Sequence, residues 1–153
     1  MKLPKLEISK TIEVAWSETT RQKLIAYWSA RRVCFEENSE KILRGSRGHI
    51  LWNLITFDMT KLRASLAASP SQAGGVLVSL SVQTTFQQIT QWNKAFLDFE
   101  LSTCESFLLH DDLREKEWAD FLKADRKAKL IWTATLGLGG QRLPSKKDAA
   151  TKI

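Results

Sequence analysis

The sequence predicts an α+β fold: a curled antiparallel sheet of about five to six strands, with helices packed on one face. Several short segments alternate between apolar and polar residues, which is the pattern of half-buried strands. Two longer segments repeat apolar residues at helical spacing. The alternating segments follow one another between these helices, an order typical of helices layered on a sheet. The chain has 153 residues, 43% of them hydrophobic, which is enough for one core.

The first strand and helix are predicted at the start of the chain. Residues 6–16 place Leu6, Ile8 and Ile12 on one side and polar residues on the other. Ser17 is a helix N-cap residue, and apolar residues then recur at helical spacing through about Arg31.

A meander of strands is predicted next. Asn38-Ser39 is a tight turn between two short alternating segments, and residues 69–75 form a Ser-, Pro- and Gly-rich loop. The predicted strands are VCFEE (33–37), EKILR (40–44), HILWNLITF (49–57), the run from Leu62 to Ala68, and VLVSLSVQT (76–84).

A long helix is predicted from Thr90, because Phe96, Phe99, Thr103 and Phe107 form one stripe of it. It is expected to lie across the sheet. Asp111-Asp112 is a candidate cap for a further, densely charged helix.

The positive charge of the chain is concentrated at its end. Residues 126–153 hold seven basic residues and one acidic residue, which accounts for the whole net charge of +6. Residues 1–125 are therefore formally neutral. We expect one domain at 1–125 and a basic, partly apolar C-terminal tail at 126–153, mobile toward its end.

The composition of this tail predicts that it binds a partner. A tryptophan and leucines flanked by cations are typical of attachment to an anionic membrane surface, and docking on a protein assembly is equally open. The alternative is that the apolar residues pack back on the domain. Nucleic acid is disfavoured, since the tail has one aromatic residue among its cations. The basic residues are Arg126, Lys127, Lys129, Arg142, Lys146 and Lys147, and the apolar residues are Leu130, Ile131, Trp132, Leu136 and Leu138.

The segment RGSRG carries a second charge pattern. Its glycine spacing lacks the strand-to-helix context of a phosphate-binding loop, because strands are predicted on both sides. Gly45 and Gly48 are instead expected to supply positive φ angles, or a bulge, in a strand connection. Arg44 and Arg47 would then form a small edge for an anionic partner.

The sequence contains few residues of the types that bind metals or catalyse reactions. His49 and His110 lie far apart and without metal-ligand spacing, so no metal, cofactor or catalytic residue is predicted. Cys34 and Cys104 are interpreted as buried thiols. The charged N-terminus predicts no secretion signal, and we expect a non-enzymatic cytoplasmic protein, in one interpretation peripheral to a membrane.

The element order over about residues 6–109 resembles the helix-grip folds, which close around apolar ligands. That resemblance is one of element order and implies no binding residue. The alternative function is a carrier of a small apolar ligand, enclosed by the curled sheet and the long helix in a cavity that we expect to be lined by Trp28, Trp52, Trp92 and Phe96. The stretch GSRGHILWNLITFDMTKL is also similar to small uncharacterised proteins of photosynthetic bacteria, a similarity that implies no activity. The sequence leaves the oligomeric state open.

Overall fold

The computed structural model describes residues 5–49, 59–83 and 90–134. It has the predicted α+β fold, with a five-stranded antiparallel sheet that is not closed. The elements are β1 (Lys5–Ile12), α1 (Glu18–Ala30), β2 (Cys34–Asn38), β3 (Leu43–Arg47), β4 (Ala64–Pro70), β5 (Val76–Gln83), α2 (Thr90–His110) and α3 (Glu115–Ala134).

The strands are ordered β1-β5-β4-β3-β2, and each pair of neighbours is antiparallel. Strands β2 to β5 therefore form a meander of four strands, in which β3 pairs directly with β4, and β1 joins beside β5. The strand predicted at HILWNLITF falls mostly on residues 50–58, outside the described residues. His49 itself forms a parallel bridge with Leu62.

One face of the sheet is the core. Every second residue of β4 and β5 is apolar and faces the helices, because side chains alternate across a strand. Helix α2 packs against β1 and α1 on this side. Lys10 of β1 also faces the helices and pairs with Glu105 of α2. The buried hydrophobic side chains of the strands are Ile12, Leu43, Ala64, Leu66, Ala68, Val76, Val78, Leu80 and Val82.

The other face, here called the outer face, consists of small and charged side chains. It is formed by the alternate residues of the same strands, which the register places side by side. They are half-buried or exposed: Lys5, Glu7, Ser9, Thr11, Arg44, Ser46, Ser65, Ala67, Ser69, Leu77, Ser79 and Ser81.

Helix α1 begins as predicted. The Thr20 backbone N–H donates to the Ser17 side-chain oxygen at 3.2 Å, which satisfies one of the free N–H groups of the first turn. The helix buries Leu24, Tyr27 and Trp28. Its aromatic pair thus lies on the core side.

Strand β3 is displaced toward the C-terminus from the predicted EKILR, so that RGSR belongs to the strand. The two predicted roles of glycine are divided between Gly45, which lies in β3, and Gly48, which directly follows it. Gly48 has a positive φ of 73°. Gly45 lies opposite Phe35 at the bulge in β2, where a Cβ atom would come within 2.7 Å of the Cys34 carbonyl oxygen.

The chain divides into two compact units, residues 1–113 and 114–153. The segment predicted as a tail, 126–153, lies within the second unit. Helix α3 belongs to this unit and contains a stacked Trp118–Phe121 pair, with ring centroids 6.3 Å apart. Near its start, Arg114 pairs with Glu117.

Candidate functional site

Arg44 and Arg47, predicted to share one exposed edge, lie on opposite faces of the sheet. They are three residues apart in a strand, and an odd spacing directs side chains to opposite sides. Arg44 is on the outer face, 61% exposed, with Nη1 3.4 Å from an oxygen of Glu37. Arg47 faces the helices, and its side chain is 4% exposed. The expectation of a two-arginine edge is corrected: only Arg44 is accessible to a partner.

Arg47 is paired with a buried glutamate that sequence reasoning missed. Its Nη1 and Nη2 atoms donate to the two carboxylate oxygens of Glu100 in α2, each at 2.6 Å. The Glu100 side chain is fully buried. A bidentate pair of this kind, with two parallel hydrogen bonds between guanidinium and carboxylate, is the geometry that best offsets the desolvation of two buried charges. The pair therefore joins β3 to α2.

Hydroxyl and thiol groups surround this ion pair. Tyr27 Oη donates to the Glu100 backbone oxygen at 2.8 Å and also contacts the Thr103 hydroxyl. Burial raises the pKa of Tyr27, and it raises the pKa of Cys104 to about 12. Both groups therefore stay protonated near neutral pH. A buried neutral thiol is unreactive, so the interpretation of Cys104 as a buried thiol is confirmed.

Cys34 departs from its prediction, because its thiol is exposed. It lies opposite Ser46, beside the bulge, on β2, which is an edge strand of the sheet in the described part of the chain, so it packs against one neighbouring strand there. No group of three His, Cys, Asp or Glu side chains suited to a metal ion occurs in the described ranges.

The outer face holds a shallow depression of about 320 Å³. Small side chains on the three central strands form its floor. Charged residues form its rim, on the β1 side and on the β2–β3 side of the same face. Ser81, Ser65 and Ser46 are consecutive partners in the register across β5, β4 and β3. The signal for this face is present in the sequence, since ASLAASP has Ser or Ala at every second position and VLVSLSVQ has Ser79 and Ser81 between apolar residues.

The rim of this depression is close to electrically balanced. Lys5 Nζ lies 2.7 Å from Glu7 on β1, and Ser46 donates to Glu36 at 2.8 Å on the opposite side. Arg44 and Arg63 complete the charged lining. Positively and negatively charged side chains therefore occur at both ends of the floor, on the β1 side and on the β2–β3 side. Such an arrangement suits a polar partner that presents both signs of charge.

The predicted attachment residues are only partly described. Arg126 and Lys127 are exposed on α3. Lys129, Leu130, Ile131 and Trp132 lie in the same helix, of which the backbone alone is described there. Within the described ranges, no helix is both long and apolar enough to span a bilayer. The remaining predicted residues lie outside the described part: Leu136, Leu138, Arg142, Lys146 and Lys147.

The predicted ligand cavity is likewise only partly described. Trp28 in α1 and Phe96 in α2 are both buried. Trp92 lies in α2, with only its backbone described, and Trp52 lies outside the described residues. The carrier function therefore stays a prediction.

Comparison with known proteins gives no functional assignment. No protein-family model matches the chain, and no curated protein matches its sequence. The function proposed below therefore depends on the residues and their geometry alone.

Proposed function

We propose that the protein is a non-enzymatic intracellular binding module that attaches to an anionic membrane surface through residues 126–153. The observation that supports this most is the continuity of α3, which runs from Glu115 to Ala134. This helix carries basic Arg126, Lys127 and Lys129 directly before apolar Leu130, Ile131 and Trp132. A helix with these two elements side by side resembles interfacial anchors, in which rings enter the headgroup layer and cations meet lipid charges.

The charges along α3 are distributed unevenly. Its first half contains Glu115, Glu117 and Asp120 against Lys116 and Lys123, a net charge of −1, whereas its second half contains three basic residues, Arg126, Lys127 and Lys129, against Asp125, a net charge of +2. This half alone is suited to a negative surface. Each basic residue near such a surface contributes about 1 kcal/mol, so the attachment is reversible and weakens with salt.

An intracellular location is supported by the two cysteines of the chain. Both are free, and one is exposed. Exposed thiols persist best in a reducing compartment. This supports attachment from the cytoplasmic side, where the membrane surface is negatively charged.

Charge reversal in the full-length chain tests the proposal. The triple variant Arg126→Glu, Lys127→Glu, Lys129→Glu is compared with a control of equal charge change at three exposed lysines, Lys41→Glu, Lys94→Glu, Lys116→Glu. Co-sedimentation is measured with phosphatidylcholine vesicles that contain or lack phosphatidylserine. The wild type and the control are expected to bind the anionic vesicles. The triple variant should bind about 100-fold more weakly, because three contacts of about 1 kcal/mol are lost.

Far-UV circular dichroism checks that α3 is retained in both variants. Equal losses of vesicle binding in the two triple variants would show that binding depends on the net charge of the protein and not on residues 126–129. No vesicle binding by the wild type at low salt would overturn membrane attachment. The alternatives would then be docking on a protein assembly or packing of the apolar residues back on the domain.

A further inference from the structure

We propose that residues 111–114, here called the linker, form a conformational switch that converts from a bend to helix and so joins α2 and α3 into one continuous helix. The chain from Thr90 to Ala134 contains no glycine or proline, the residue types that most often end a helix. Helix α2 nevertheless ends at His110, and α3 begins at Glu115. The proposal concerns the backbone of the linker and does not depend on membrane attachment.

The bend depends on two residues in the left-handed region of backbone conformation. Asp111 has a φ of 54° and Arg114 has a φ of 47°. A Cβ atom crowds the backbone in this region, so each residue costs free energy there that a glycine would not. Aspartate tolerates the region because its short side chain can hydrogen-bond locally, whereas arginine has no such compensation. The bend therefore forms against the local preference of the chain.

The start of α3 is weakly specified by its capping residue. The Trp118 backbone N–H donates to the Arg114 carbonyl oxygen at 2.9 Å, so Arg114 occupies the N-cap position. Its guanidinium group has no acceptor for the N–H groups of the first turn. In a continuous helix these N–H groups would donate to carbonyl oxygens of the preceding turn. The joined helix therefore needs no cap at this position.

Side chains on both sides of the linker are spaced to stabilise the joined helix. Leu109 is a large hydrophobic side chain that is 42% exposed when the linker is bent. In a continuous helix Leu113 lies one turn after it, and Lys116 lies one turn after Asp112. Apolar pairs and acid-to-base pairs at this spacing each stabilise a helix.

An exposed ion pair stabilises the bent linker instead. Lys23 Nζ of α1 lies 2.6 Å from Asp111 Oδ1, with the two side chains 30% and 71% exposed. Ion pairs with this exposure contribute little to stability. In the joined helix Asp111 and Glu115 would lie one turn apart and repel each other. The opposing contributions of the side chains are all small, so both states of the linker are populated.

The distance between two spin labels, measured by pulsed electron paramagnetic resonance, reports the state of the linker. The labels are attached at Asp98→Cys in α2 and Lys123→Cys in α3, both exposed positions, in the full-length chain with Cys34→Ser. Cys104 is buried and stays unlabelled. A continuous helix separates the two backbone positions by about 38 Å, and any bend at the linker shortens this distance.

Two matched variants test the role of the backbone. Asp111→Ala with Arg114→Ala and Asp111→Gly with Arg114→Gly remove the same side-chain charges and differ only in backbone preference. Alanine favours helix and disfavours a positive φ, and glycine does the reverse. The ratio of joined to bent linker should be more than about 100-fold higher in the alanine variant than in the glycine variant. Lys23→Gln should raise this ratio about twofold to fivefold over the wild type, because one exposed ion pair is lost.

The expected result is a long distance that dominates in the alanine variant, is minor in the wild type and is absent from the glycine variant. Identical distance distributions in the two matched variants overturn the proposal, because the bend would then not depend on φ at these residues. Thermal unfolding checks that each variant folds. If the alanine variant does not fold, the glycine variant decides: loss of the wild-type long distance supports the switch, and an unchanged distribution overturns it.

Discussion

The two faces of the sheet are made by the same strands and have opposite characters. In β5, Val78, Leu80 and Val82 face the helices and are almost fully buried, whereas Ser79 and Ser81 between them face outward. Apolar burial on one face supplies the driving force for folding. The outer face contributes little to it and can change without loss of the fold. The comparison therefore separates the residues that maintain the structure from those available to a partner.

The largest expected effect comes from breaking the ion pair on the helix-covered face. Arg47→Met or Glu100→Leu alone leaves one buried charge without its partner and should lower the free energy of unfolding by about 3–5 kcal/mol. The double variant should recover most of the loss, because both charges are then gone. Urea denaturation of the three variants measures this. Equal losses in the single and double variants would contradict the interpretation of the pair as one unit.

A smaller loss of stability is expected in β5, where two neighbouring residues should differ in their contribution to the free energy of unfolding. Leu80→Ala removes a buried side chain from the core and should cost about 2–5 kcal/mol. Ser81→Ala, one residue further along, is expected to change the free energy of unfolding by less than about 0.5 kcal/mol. Both values come from the same denaturation experiment. Similar losses at the two positions would show that the outer face is also part of a packed core.

The smallest effect on stability is expected at Cys34. A thiol reagent under native conditions should modify Cys34 and leave Cys104 protected, since only Cys34 is exposed and burial raises the pKa of Cys104 to about 12. Labelling Cys34 should change stability by less than about 0.5 kcal/mol. Mass spectrometry of the labelled peptides identifies the modified residue. Rapid native labelling of Cys104 would contradict its burial.

The elements with regular patterns could be predicted from the sequence. The N-cap at Ser17, the alternation in β4 and β5, and the apolar stripe of α2 are local signals, and each predicts its element. The predicted position of β3 lies too early in the chain. Its actual sequence, LRGSR, contains a glycine and two arginines, and these residues lack the usual preference for strands.

The buried ion pair could not be predicted by the same means. Its partners are 53 residues apart, and a charged residue within an apolar stripe looks like a gap in the stripe until its partner is known. Cys34 was wrongly interpreted as buried because alternation identifies which residues share a face and does not identify an edge strand. The depression on the outer face was missed for a related reason: small polar residues identify an exposed side, whereas its shape depends on the register of neighbouring strands.

The inward position of Lys10 affects how this protein can aggregate. Strand β1 forms one edge of the sheet in the described part of the chain, and strands at an edge can pair with those of other molecules into filaments. A strand added beside β1 would enclose the Lys10 ammonium group between itself and α2, away from water, which is unfavourable for a charge. The inward-facing Lys10 charge thus opposes growth of the sheet at this edge, even though its pairing with Glu105 offsets part of the cost. Even at high concentration, filaments that extend the sheet from β1 should be slow to form.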